Sequence, residues 1–216
     1  MFDINDHSWV ARSVPAERAE PEIAFYIAEG FSPDPNSARE EDDVALPRPT
    51  TVTDRRLTST EAQKSESDLI GYYRSVLSLV EEHQQTYNDF SPYFWLKLTI
   101  GWESGELGFS WYDTLDPMES LFDWIQAAED GDIWSDVEQG WEMICIRVGE
   151  RFHFRQGGFD QGDEYENVAL PREQLLQSVT VLRARIKAII SRLIAEIGED
   201  YWTRYRYDLR TDLDMR

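Results

Sequence analysis

Phe94, Leu96, Leu98 and Ile100 are apolar at every second position, with Lys97 and Thr99 between them. Side chains alternate across the two faces of a strand, so this spacing predicts a strand with one buried face. Glu103-Ser104-Gly105-Glu106 reads as a turn, after which Leu107, Phe109 and Trp111 resume the same period. Together they predict a β-hairpin with a core-facing side. A second hairpin is expected from Trp141 to Val148, with Gly149-Glu150 as its turn and Arg151 to Arg155 as the return strand. Tyr165 to Leu170 would add a short last strand.

Two segments carry the longer helical period instead. Leu69, Tyr73, Val76, Val80, His83 and Tyr87 follow steps of four and three, as do Leu175, Val179, Leu182, Ile186, Ile189, Leu193 and Ile197. Each set forms one stripe of a helix. A shorter helix is signalled by Asp116-Pro117-Met118-Glu119, with Asp as N-cap, Pro at the first helical position and Glu three after the cap. The expected class is α+β: an antiparallel sheet of four to five strands built from the two hairpins and covered by long amphipathic helices.

The expected organisation is an N-terminal arm (1–32), a flexible linker rich in Pro, acid and Ser/Thr (33–64), the α+β domain (65–200) and a tail (201–216). Glu22 to Glu29 is read as a short helix opened by Pro21. The linker holds Pro33, Pro35, Pro47, Pro49 and the acid run Glu40 to Asp43. Proline at this density disfavours regular structure.

At 216 residues, 41% hydrophobic and 13% aromatic, the chain has the composition of a globular protein. Its net charge of −21 disfavours direct binding to nucleic acid or to an anionic membrane, because phosphates are repelled. No run approaches the roughly 20 apolar residues needed to cross a bilayer. Nor is there a basic start and apolar run of an export signal, so a cytoplasmic location is expected. The single cysteine, Cys145, lies in Met143-Ile144-Cys145-Ile146 and reads as a small buried hydrophobe.

The motifs of known chemistries are missing. His7, His83 and His153 have no second His or Cys at metal-ligand spacing, so no metal and no cofactor is expected. His83 falls on a helical stripe and reads as a core residue, while His153, between Phe152 and Phe154, is expected to face solvent. Gly157-Gly158 lacks the Lys-Ser/Thr of a phosphate loop. The carboxylates after Asp130 miss the glycine and the final glutamate of a calcium loop.

Charge distribution carries more. Between Gly101 and Leu170 there are 17 Asp and Glu residues against Arg147, Arg151 and Arg155, and five of the eight tryptophans lie in the same stretch. Trp111 and Trp124 fall on apolar faces and read as core. Trp134 sits in a polar connection, Asp132 to Gln139, where no periodicity demands it; ringed by carboxylates, it is either an exposed anchor for a partner or a plug at the edge of the core. Negative potential steers a cationic partner and a large aromatic grips it. The candidate partner-binding residues are therefore Asp130, Asp132, Trp134, Asp136, Glu138, Asp160, Asp163, Glu164 and Glu166.

The order of hairpin, amphipathic helix with an acidic end, second hairpin and long C-terminal helix resembles cytoplasmic immunity proteins of bacterial polymorphic toxin systems. The residues that carry the likeness are 95–113, 116–132, 141–154 and 168–186. The resemblance implies a protein without catalytic residues that blocks one cognate toxin domain, commonly a basic nuclease. Two other readings stay open: a nucleic-acid mimic that inhibits a DNA-binding protein, and an enzyme whose carboxylates meet only in the fold. The two long helical stripes also leave homodimerisation open.

Overall fold

The structure, a computed structural model, describes residues 6–34, 43–138, 141–158 and 166–203. It is mixed α+β. In chain order the strands are β1 (Val14–Pro15), β2 (Glu20–Tyr26), β3 (Gly30–Phe31), β4 (Val44–Ala45), β5 (Arg56–Thr58), β6 (Leu96–Trp102), β7 (Gly105–Tyr112), β8 (Ile133–Glu138), β9 (Trp141–Val148), β10 (Arg151–Gly158) and β11 (Glu166–Pro171). The helices are α1 (Ser59–Lys64), α2 (Glu66–His83), α3 (Tyr87–Phe90), α4 (Asp116–Ala127) and α5 (Arg172–Ile197).

Both hairpins form, but in different sheets. The second hairpin belongs to a five-stranded sheet of order β1-β11-β10-β9-β8, and the first to a four-stranded sheet of order β5-β2-β6-β7. Strands β8 to β11 run antiparallel, while β1 lies parallel to β11 with Val14 opposite Val168. The single antiparallel sheet expected from the two hairpins is therefore replaced by two sheets, plus the small pair β3-β4. Within the first hairpin, a Cβ on Gly105 would meet the Trp102 indole at 2.5 Å, so glycine there leaves room for the ring.

The segment read as a helix from Pro21 is strand β2. Its Ile23, Phe25 and Tyr26 are branched or aromatic, which suits a strand between two neighbours. Pro21 is tolerated because pairing with β5 begins only at Ala24. The stretch taken as a flexible linker also carries structure: β4, β5 and α1. Thr58 caps α1 by accepting from the Glu61 N–H at 3.3 Å, and Glu61 returns the bond by accepting from the Thr58 N–H at 3.0 Å. This reciprocal capping box is written in the sequence as Thr58-x-x-Glu61.

By internal contacts the chain divides into two compact units: Met1–Pro21, Thr99–Ser110 and Met118–Val181 in one, Glu22–Leu98, Trp111–Pro117 and Leu182–Arg216 in the other. In the first, Phe152, Phe154, Val168 and Leu170 are fully buried on one face of the five-stranded sheet. Trp124 of α4 lies against Phe152 with ring centroids 5.6 Å apart. The opposite face buries Trp9, from the 3-10 helix Ser8–Arg12, against Ile144 and Ile146.

In the second unit the core is aromatic. Phe94 stacks between Tyr73 at 5.0 Å and Tyr201 at 4.3 Å, with Trp202 edge-on to Tyr73 and Phe94. The Leu115 N–H donates to the Trp202 carbonyl at 2.9 Å, so the start of the expected tail is part of the fold. Trp111 is only half-buried, beneath the Lys97 ammonium at 5.7 Å, and Tyr112 takes the buried place beside it. His83 is exposed at the end of α2, because the chain leaves the helix at Gln84 with φ 51°.

Candidate functional site

The connection from Asp132 to Gln139 contains β8, an edge strand of the five-stranded sheet. Its pattern Ile-Trp-Ser-Asp-Val-Glu hides the strand period, since the apolar residues Ile133 and Trp134 are adjacent and open opposite faces. Ile133 packs beside Trp9, Ile144 and Ile146. Trp134, on the opposite face, pairs directly with Cys145 and lies 6.3 Å from the Phe109 ring. Trp134 is half-buried and Val137 is 55% exposed. The tryptophan is thus held against Phe109 and remains partly open to solvent.

Trp134 and Asp136 share one face of β8, by strand alternation. Register extends that face across the sheet: Asp136 pairs with Met143, Met143 with Gln156, and Gln156 with Glu166. Asp136 and Glu166 are the two ends of one row, separated by three strand spacings or about 14 Å. Between them the Gln156 amide donates to the Glu166 carboxylate and its oxygen accepts from the Gly108 N–H at 3.0 Å.

Asp130 and Asp132 occupy the exposed turn between α4 and β8, and their carboxylates hold backbone. Asp130 accepts from the Gly149 N–H at 2.6 Å and Asp132 from the Glu129 N–H at 2.8 Å. The Arg147 guanidinium donates to the Ala128 carbonyl at the same turn. These contacts set the entry angle of β8. They also concentrate Glu129, Asp130, Asp132 and Glu150, all exposed, at one end of the strand. Of the remaining candidates, Asp160, Asp163 and Glu164 lie outside the described residues, as does the side chain of Glu138.

The other nominated chemistry is placed as follows. Cys145 is completely buried, and burial pushes its thiol well above the ordinary range. His153, expected to face solvent, is half-buried beneath the N-terminal 3-10 helix. Burial first, and the neighbouring Arg151 charge second, lower its pKa against a raising hydrogen bond with the Val10 backbone. Among the described residues no group of three or more His, Cys, Asp or Glu side chains is arranged to hold a metal ion, and no helix is long and apolar enough to cross a membrane.

No known family model, curated protein or solved structure matches this chain.

Proposed function

We propose that this chain is an acidic binding protein that neutralises a basic toxin effector, such as a nuclease, by stoichiometric contact centred on β8, in the manner of an immunity protein. The observation that carries the reading is the make-up of that edge. A sheet edge offers N–H and C=O groups to an incoming chain. Here it also presents a half-buried tryptophan, an exposed valine and Asp136, with the exposed carboxylates of Glu129, Asp130 and Asp132 at its start. A basic segment is drawn in by the field, and Trp134 then limits its escape.

The nine nominated residues do different work in this scheme. Asp130 and Asp132 shape the turn, whereas Trp134 and Asp136 face the partner. The test is association with a basic domain encoded beside this chain. A 1:1 complex is expected, with an on-rate that falls steeply as salt rises, because exposed charges are screened beyond about 8–10 Å. Asp136→Asn with Glu138→Gln should slow association, and Trp134→Ala should speed dissociation. Salt-independent binding, or full protection by the charge-neutralised variant, would count against the reading. Displacement of several unrelated basic proteins, each competed by DNA, would favour the nucleic-acid mimic instead.

A further inference from the structure

We infer that the second unit holds a recognition pocket for an alkylguanidinium or alkylammonium group. A cavity of about 520 Å³ opens among β2, β3, β4, α3 and the 3-10 helix Ser91–Phe94. Its volume falls within the range of roughly 300–1,000 Å³ that ligand sites occupy. Among the described residues it is lined by the tyrosines Tyr26 and Tyr93, the carboxylates Glu29, Asp43 and Asp89, and the guanidinium of Arg55.

The polar groups are held in place by contacts within this unit. Glu29 is fixed by Arg48 at 3.0 Å, and Asp89 accepts from both the N–H and the hydroxyl of Thr86 at 2.9 and 2.6 Å. Tyr93 accepts from the Ser32 N–H at 3.1 Å. Burial and the nearby Asp43 charge keep its phenol protonated. Arg55 reaches Tyr26 at 3.4 Å from a bend in which Asp54 and Arg55 both have left-handed backbone, φ 51° and 57°.

Among the described residues, carboxylates outnumber the cations around this cavity even when Arg48 is counted. An anion entering it would be repelled by the excess of carboxylate, and a neutral guest would leave that excess without a counter-charge. A cation on an alkyl stem gains the carboxylates, and a tyrosine face attracts it through the ring quadrupole. The inference does not rest on the β8 reading, since it concerns other residues and another unit.

The experiment is an NMR titration of the full chain with N-acetyl-arginine amide, following the amides of Ala28, Gly30 and Ser32. N-acetyl-citrulline amide, of the same shape but neutral, is the comparator. Saturable shifts at these amides with the arginine compound alone are expected. Asp43→Asn should weaken binding about two- to fivefold and Arg55→Gln should tighten it by a similar factor, as expected for exposed charge pairs. A blocked Gly-Gly-Arg-Gly-Gly peptide separates the sources: tighter binding than the single residue identifies a protein side chain as the guest, and equal binding a free cation. Both results support the pocket. Equal response to citrulline, shifts confined elsewhere, or the opposite signs for the two variants would overturn it.

Discussion

The Asp130 carboxylate accepts a hydrogen bond from the Gly149 N–H, which ties the turn after α4 to the β9–β10 turn. Gly149 has φ 56°, so the tip it belongs to depends on a residue without a Cβ. Asp130→Ala should cost about 0.5–1.5 kcal/mol, the range of one ordinary hydrogen bond, since exposure to solvent offsets the extra strength that the charge would give. Asp130→Asn, which keeps an acceptor, should cost less. Urea denaturation of both variants checks this, and a loss for Asn equal to that for Ala would refute the role.

Glu22 is the hub of a polar cluster in the second unit. Its carboxylate accepts from the Ser59 N–H at 3.1 Å and the Ser59 hydroxyl, from Thr60 Oγ1 at 2.6 Å and from Arg185 at 3.1 Å. Both partners of the ion pair are about four-fifths buried, at 21% and 23% side-chain exposure. Glu22→Gln should destabilise by about 1–3 kcal/mol, since Arg185 loses its counter-charge in a poorly solvated place. The effect is read from denaturant midpoints; a change under 0.3 kcal/mol would show the cluster to be incidental, about the size of a neutral surface substitution.

Cys145 lies in β9 with no exposed surface. The thiolate is the reactive form, and burial makes it scarce. A thiol reagent at pH 8 should therefore leave the native chain untouched and modify it only as rapidly as it opens. Fast stoichiometric labelling without denaturant would contradict the buried placement.

His153 gives a pH dependence whose sign follows from its lowered pKa. The folded chain binds this proton less readily than the unfolded chain, so protonation favours unfolding. The stability contribution is present above the unfolded value near 6.5 and is lost as pH falls from there through the folded value. His153→Gln should flatten the stability profile below pH 6.5, relative to the parent chain, and imidazole shifts should report a titration below 6.5. A titration above 6.5 would reverse the argument.

Short-range spacing was enough to read much of this molecule. Alternation at Phe94 to Ile100 and Trp141 to Val148, the Asp116-Pro117 start, and the steps from Leu175 to Ile197 each matched an element, because the period of apolar residues reflects the local backbone. Glu22 to Glu29 failed for the same reason: a short apolar run fits either period, and the neighbours β5 and β6 made it a strand. Thr58-x-x-Glu61 is a legible helix start, masked by the proline-rich stretch before it. At the candidate site, acidity and an unusual tryptophan were visible in the residues. The strand beneath them was not, since Ile133 and Trp134 open opposite faces and mask each other's alternation.

Assembly was decided at longer range. Nothing within Val14-Pro15 announces a parallel partner at Val168-Ala169, and nothing within either hairpin says that the two enter different sheets. A strand's own pattern states which side must be buried but not against what. That choice depends on contacts between residues far apart in the chain, whose energies no local window contains. So the amount of negative charge and its run along the chain were plain from composition, whereas the row from Asp136 to Glu166 exists only because four strands lie side by side in register.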